Sequence, residues 1–257
     1  MRPQRPARGG PVEESRLSAF KVGVVSLVLG AVGTVAILVT PSWFPVAAAQ
    51  QATRQDELYL SLMIMSAFIM AIVTTFLVYS VWKFRARPGD EDRDGPPIHG
   101  NTMLEIVWTV IPTVIVLAFA VVGGMVLVRN EQTYKNEMVV NVQAQQFAWT
   151  FQYSNGVKSP VLMLVKDQPT EFKISSLLHD VIHSFYVPQF RVKADAVPGQ
   201  YNYTYATPDR IGTYTLICTE LCGPGHSLMR AEVRVVSRAD FDTWLQSQKT
   251  ASGGAGA

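Results

Sequence analysis

Two stretches of this chain, residues 58–82 and 106–128, carry no charged side chain. Each is longer than the about 18–20 residues that a helix needs to cross the hydrocarbon core of a bilayer. Backbone amides in lipid must be satisfied within their own segment, so the form available to each run is a helix. Pro112 falls in the first two turns of the second run, where a membrane helix tolerates it. Tyr79, Trp82 and Trp108 stand near the run ends, as interfacial aromatics do. A buried helix of a water-soluble protein is the competing reading. Two runs of such length and purity speak against it, because the overall apolar content of 48% is ordinary and must therefore be concentrated here.

Charge sets the orientation of the hairpin. Lys83, Arg85 and Arg87 open the loop between the runs, and the far ends are poorer in Lys and Arg. The positive-inside rule puts this loop in the cytoplasm and everything after residue 128 outside the cytoplasmic membrane. Asp90, Glu91, Asp92 and Asp94 in the loop read as a solvated face. Upstream, Arg2, Arg5, Arg8, Arg16 and Lys21 precede a further apolar run, 22–39, followed by Ala47-Ala48-Ala49, which resembles a signal-peptidase site. A signal peptide and a third spanning helix both fit. The run exceeds the usual signal core of about 7–15 residues, which favours the helix. Either way residue 50 lies outside.

From Met138 the pattern changes to short alternating segments. Residues 139–142, 171–174, 201–205, 213–217 and 231–236 read as strands, with turns at Ser154-Asn155-Gly156 and Val197-Pro198-Gly199. Phe241, Trp244 and Leu245, spaced i, i+3, i+4, mark a closing amphipathic helix that packs on the strands. The Gly-rich tail from Ser252 is expected to be disordered. The expected division is 1–50 (basic tail and apolar segment), 51–131 (transmembrane hairpin), 132–237 (β domain) and 238–257 (helix and tail). A net charge of +2 is too small to argue for nucleic acid.

The segment Cys218-Thr219-Glu220-Leu221-Cys222-Gly223-Pro224-Gly225-His226-Ser227-Leu228-Met229 concentrates two thiols, an imidazole and a thioether. His183 lies upstream. Thiolate, imidazole and thioether form a soft donor set, which selects copper over hard cations. One cysteine with two histidines would describe a single copper; two cysteines can bridge a pair. Met229 would then be a weak donor to one copper, and the backbone carbonyl of Glu220, between the cysteines, is placed to serve the other. The expectation is a binuclear copper centre that shuttles single electrons, with no open position for a substrate. Glycines 223 and 225 shape the loop that returns His226 and Met229 to the site. Cysteine count alone would favour a disulfide, since these two cysteines are the only ones and face an oxidising compartment. The His-Ser-Leu-Met continuation and His183 favour the metal. Short strands with copper donors in a late loop point to an all-β Greek-key cupredoxin, a sandwich or barrel, behind a membrane α-helical hairpin or three helices.

These motifs resemble subunit II of the haem–copper cytochrome c oxidases. The resemblance rests on the cysteine–histidine–methionine segment, on Asp180-Val181-Ile182-His183-Ser184-Phe185, on the run from His99 to Thr109, and on Lys193-Ala194-Asp195-Ala196-Val197-Pro198-Gly199. It covers roughly residues 56–244 and implies the cupredoxin fold. It also implies a two-copper centre, called CuA in that family, with subunit I and other oxidase subunits as partners and cytochrome c as donor. On it, electrons pass to haem in subunit I, where O2 is reduced to water with proton translocation; this chain carries no catalytic oxygen site of its own. The Glu220 side chain would share a magnesium with subunit I. Glu105 would stand at a proton-path entrance, although Thr102-x-x-Glu105 also reads as a helix capping box. Phe147 and Trp149 lie in the family's aromatic segment beside the copper. Many members have tryptophan where Phe147 stands, so the electron-entry residue is in question, and ordinary strand packing is an alternative for both. Asp180 and Asp195 fit either steering of a basic donor or support of a metal-bound histidine. His99, across the membrane, is no copper ligand.

Other readings are a quinol oxidase subunit II, which lacks the copper ligands retained here, and a stand-alone membrane-anchored copper redox protein or metallochaperone, against which the His99–Thr109 segment argues. Nitrous oxide reductase shares the copper motif but joins it to a large propeller, for which 257 residues leave no room. No Cys-x-x-Cys-His for covalent haem is present.

Overall fold

The computed structural model describes residues 11–40, 43–85 and 100–253. Arg2, Arg5, Arg8, Arg87, the acidic string at 90–94 and His99 lie outside the described residues. Three helices, α1 (Pro11–Val39), α2 (Gln50–Phe84) and α3 (Thr102–Asn130), are long and apolar enough to cross a membrane. In α3, none of the most apolar window is buried within the chain. A helix apolar all round needs an apolar surrounding, which a bilayer supplies.

The chain divides into two compact units, one of α1, most of α2 and the start of α3, the other of residues 44–57 and 113 onward. In the first unit α1 runs against α2 through small residues. A Cβ at Gly30 would collide with the ring of Phe68, and one at Gly33 would lie 3.2 Å from Ala67 Cβ. Ser26 and Ala71 are buried. Close backbone approach through small residues is how membrane helices gain packing contact. The Thr102–Glu105 capping box does not form. Asn101 Oδ1 accepts the Leu104 N–H at 3.1 Å, so Asn101 is the cap. Thr102 is then already helical, and Glu105 falls one position too late to reach back as a box requires.

The second unit is a sandwich of two five-stranded sheets. One has the order β3 (Lys158–Ser159), β2 (Ala148–Tyr153), β1 (Met138–Gln145), β5 (Thr170–Ser176), β8 (Asn202–Ala206). The other has β4 (Leu162–Val165), β10 (Arg230–Val236), β9 (Gly212–Cys218), β6 (His183–Val187), β7 (Val192–Ala196). β1 pairs parallel with β5 and β10 parallel with β4; the other ladders are antiparallel. Alternation works as expected on β1, where Val140, Val142 and Ala144 point inward between exposed Asn141, Gln143 and Gln145. Phe151, Phe172, Phe185, Leu164, Leu216 and Val233 meet between the sheets. The five expected strands fall in β1, β5, β8, β9 and β10, whereas β3, β4 and β7 had no sequence counterpart. All four β4 side chains are buried, which erases alternation, and two of the inward positions of β7 are alanines, too small to give contrast.

Residues 44–57 group with the sandwich, on both sides of the expected boundary at 50/51. Ala48 and Ala49 are fully buried. Ala48 N–H donates to Gln189 O at 2.9 Å, and Thr207 N–H donates to Gln51 Oε1 at 2.9 Å. Arg191 grips Asp56 with two bonds of 2.9 and 2.8 Å. The tri-alanine segment thus serves the outer core. α4 (Arg238–Gly253) is capped by Ser237, whose Oγ accepts the Asp240 N–H. Ser252 and Gly253, expected in a disordered tail, continue this helix; 254–257 lie outside the described residues. Phe241 and Trp244 of α4 close over the Tyr153 ring, at centroid distances of 5.9 and 5.2 Å.

The hydroxyl of Tyr153 donates to Met163 O at 3.1 Å and accepts the Met163 N–H at 2.7 Å. Burial, partly offset by the bond to Met163, pushes this phenol well above its ordinary pKa. Replacing Tyr153 by Phe strands two buried backbone groups, and a loss of about 1–3 kcal/mol is expected. Denaturant unfolding of the detergent-solubilised chain, followed by tryptophan fluorescence, measures it.

Candidate metal centre

Three structural pieces supply the donors. His183 opens β6 and is fully buried. Cys218 closes β9, and the two strands are hydrogen-bonded neighbours, with Phe185 opposite Cys218. The third piece is the loop from Thr219 to Met229. It is held at both ends by backbone bonds, Thr219 N–H to Ser184 O and Cys218 N–H to Met229 O, each 3.1 Å. At Gly223 the backbone takes φ +127°, a region side chains with a Cβ avoid. A short 3₁₀ turn, His226–Leu228, then presents the His226 imidazole and leads to fully buried Met229.

The result is one cluster of donors. Cys218 Sγ lies 3.9 Å from Cys222 Sγ, 3.9 Å from His183 Nδ1 and 3.3 Å from the carbonyl oxygen of Glu220. Cys222 Sγ lies 3.5 Å from His226 Nδ1 and 3.8 Å from Met229 Sδ. The donor atoms of His183, Cys218 and Cys222 are all within 4.8 Å of one another. Both thiols are free, and their separation is far beyond the about 2.05 Å of a disulfide. It suits a shared ion. With metal–sulfur bonds of about 2.3 Å and metal–nitrogen bonds of about 2.0 Å, two sulfurs on one ion lie at most about 4.6 Å apart, and a sulfur and a nitrogen about 4.3 Å. The sulfur–sulfur and nearest sulfur–nitrogen distances all satisfy these bounds.

Polar neighbours brace the cluster. Asp180 Oδ2 sits 3.6 Å from His183 Nε2, beyond hydrogen-bond length, on the ring edge opposite the thiols. The same carboxylate accepts N–H groups from Gln146 and Val181, each at 2.7 Å. Burial raises the pKa of Asp180, but those two N–H bonds and His183 together outweigh it and hold the carboxyl below its ordinary value. For His183, burial lowers the pKa against the pull of Asp180 and keeps the imidazole neutral, as a ligand must be. Burial, with the sulfur of Cys218 beside it, pushes the Cys222 thiol up to about 11. Two thiolates packed together without a cation are unfavourable, and a metal ion supplies the missing positive charge.

The remaining expected residues divide between the two compact units. Phe147 is 38% exposed and lies beneath the loop: a Cβ at Gly225 would stand 2.5 Å from its ring. Trp149 is buried on β2 and meets His183 and Phe185 edge-on, each at a centroid distance of 6.2 Å. The Glu220 side chain is exposed. Asp195 accepts the Ser184 hydroxyl at 2.7 Å, so Asp180 and Asp195 are both engaged inside the domain. Glu105 belongs to the other compact unit and is exposed on the first turn of α3. Sequence reasoning gave no role to Gln146, whose Nε2 donates to Cys222 O at 2.6 Å while its N–H binds Asp180. Only the Gln146-Phe147 neighbourhood hinted at it; a bond across 76 positions has no spacing signal.

A sandwich with a thiol–imidazole–thioether pocket in its late loop, on a chain with membrane-length helices, defines a membrane-anchored copper protein of cupredoxin type. The family model "Cytochrome C oxidase subunit II, transmembrane domain" matches residues 37–123, and "Cytochrome C oxidase subunit II, periplasmic domain" matches residues 157–236. The chain belongs to the cytochrome c oxidase subunit II family, the copper-binding subunit of a haem–copper oxidase. It is 30% identical to the cytochrome c oxidase subunit 2 of Synechocystis sp., over 89% of this chain and 83% of that one. It is 33% identical to the probable cytochrome c oxidase subunit 2 of Rickettsia bellii, over 75% and 79%. The crystal structure of the periplasmic domain of subunit II from Bradyrhizobium japonicum aligns with a TM-score of 0.44 at 24% identity, over 46% of this chain and 98% of that one.

Two outcomes are expected. Metal must displace the proton of Cys222, so the apparent Cu(I) affinity of the reduced chain falls about tenfold for each pH unit below about 11. Chelator competition at several pH values measures the slope. Asp180→Asn leaves His183 without its charged brace, and the same competition should show a loss of about 10–100-fold.

Proposed function

We propose that this chain accepts electrons from cytochrome c at a binuclear copper centre and passes them to haem in subunit I, where O2 is reduced to water with proton translocation. His183, Cys218, Cys222, His226, Met229 and the backbone carbonyl of Glu220 would hold the two ions. Bound by these residues, copper would supply a one-electron store.

The observation that carries this reading is the convergence of four donors on the two cysteine sulfurs, all six groups drawn from two strands and one loop. The chain's own residues do the rest. The sandwich shields the thiols from water. Asp180 orients His183, and Gln146 ties the loop to the β1–β2 turn. Four of the six donors, His183, Cys218, Cys222 and Met229, are buried, and such braced donors favour electron transfer over ligand exchange. Phe147, half-exposed at the rim, and Trp149, against His183, are the candidates for electron entry. The exposed carboxylate of Glu220 is available to a magnesium shared with subunit I, and that of Glu105 to a proton-uptake path. Lys83 in the last turn of α2 and Arg85 just after it support a multi-pass protein of the cytoplasmic membrane with its copper domain outside.

The test is electron paramagnetic resonance with metal analysis on the full chain loaded with copper. Two coppers per chain are expected, with one unpaired electron shared by both nuclei. Cys222→Ser should abolish that shared signal. A single copper with a localised signal in the unaltered chain would refute the reading.

A further inference from the structure

α1 and α2 touch closely where Gly30 meets Phe68 and Gly33 meets Ala67. Toward the start of α1 and the end of α2 a cleft of about 770 Å³ opens between them. Val22, Gly23 and Leu27 form one wall, and Ile72, Phe76 and Tyr79 the other. A second cleft of about 440 Å³ lies along the same helix pair and shares Val22 and Tyr79. Lys83 borders both clefts, and Lys21 borders the second. The volumes are those of ligand sites, about 300–1,000 Å³.

We infer that this cleft holds an anionic phospholipid, with an acyl chain between α1 and α2 and the phosphate at Lys21 and Lys83. Three features select that occupant. From Ser18 to Leu27 the lining covers about 14 Å of helix axis, close to one leaflet of a core about 30 Å thick. The walls are apolar and open to hydrocarbon, so the solvent that fills them is lipid rather than water. Both cationic groups sit at one end, and basic pockets between membrane helices recognise anionic headgroups. Each lysine near the membrane surface is worth about a fivefold preference. The inference goes beyond electron transfer and rests on α1 lying in the membrane beside α2.

The experiment uses the full chain, its intact mass recorded first, equilibrated with vesicles of equal phosphatidylglycerol and phosphatidylcholine. Native mass spectrometry then counts the lipids retained. Phosphatidylglycerol should exceed phosphatidylcholine about 25-fold for the two lysines together. Lys83→Gln should reduce the preference about fivefold, and Lys21→Gln with Lys83→Gln should abolish it. Gly23→Leu enters open space, with no atom within 4 Å of a Cβ there, and should expel the lipid without disturbing the helix pair. Equal retention of the two lipids, a preference unchanged in the double variant, or full retention in Gly23→Leu would overturn the proposal. So would an intact mass lacking α1, or cross-linking of a Gly23→Cys chain to a partner subunit's helix in the assembled oxidase. None of these outcomes depends on copper.

Discussion

Everything around the candidate centre answers one electrostatic problem: two cysteine sulfurs 3.9 Å apart, both buried, and no cationic side chain among the described residues that stabilises the Cys222 thiolate. As thiols they are stable but inert, and the rise of Cys222 to about 11 expresses that preference for the proton. As thiolates they repel, and only a bound cation makes the pair favourable. The surrounding groups include the neutral imidazole of His183, with the carboxylate of Asp180 placed behind it. An ammonium or guanidinium beside the sulfurs would have stabilised the thiolates without metal and competed with it.

Rigidity follows from the same problem. Donors must be in place before the ion arrives, or binding would have to order them at an entropic cost. The sandwich provides two donors from adjacent strands, β6 and β9. The loop provides the others and is closed by the backbone bond from Cys218 to Met229. Gly225 lacks a Cβ where the Phe147 ring passes, so the loop lies flat on an aromatic side chain that the β1–β2 turn holds up to it. Gln146 and Asp180 join that turn to the histidine, and the pocket acts as one braced body.

The sequence revealed the donors far better than their supports. Cys218, Cys222, His226 and Met229 are legible because they share one loop, and chain connectivity alone keeps them close. His183 was legible only through its motif, since nothing local announces that β6 pairs with β9. Gln146 and the burial of Ala48 and Ala49 were not legible, because both depend on contacts between segments far apart in the chain. Among the strands, those facing water on one side revealed themselves by alternation. β4, buried on both faces, did not. The start of α3 went wrong by one residue because Asn101 and Thr102 are both good caps, and the earlier one took the role.

The embedding of residues 44–57 in the outer unit bears on how the sandwich is held. Arg191 adopts φ +56° at the end of the Pro188–Phe190 turn, an unfavourable region for a side chain with a Cβ. It makes two bonds to Asp56 and further bonds to the carbonyls of Pro188 and Pro45. The charged pair offsets the backbone strain, and strain and pair fix the turn that follows β6. β6 carries His183 at its other end. The segment that enters the first turns of α2 and the strand that presents a metal donor are therefore parts of one hydrogen-bonded body, and loosening Asp56 would act on the same strand that positions the imidazole.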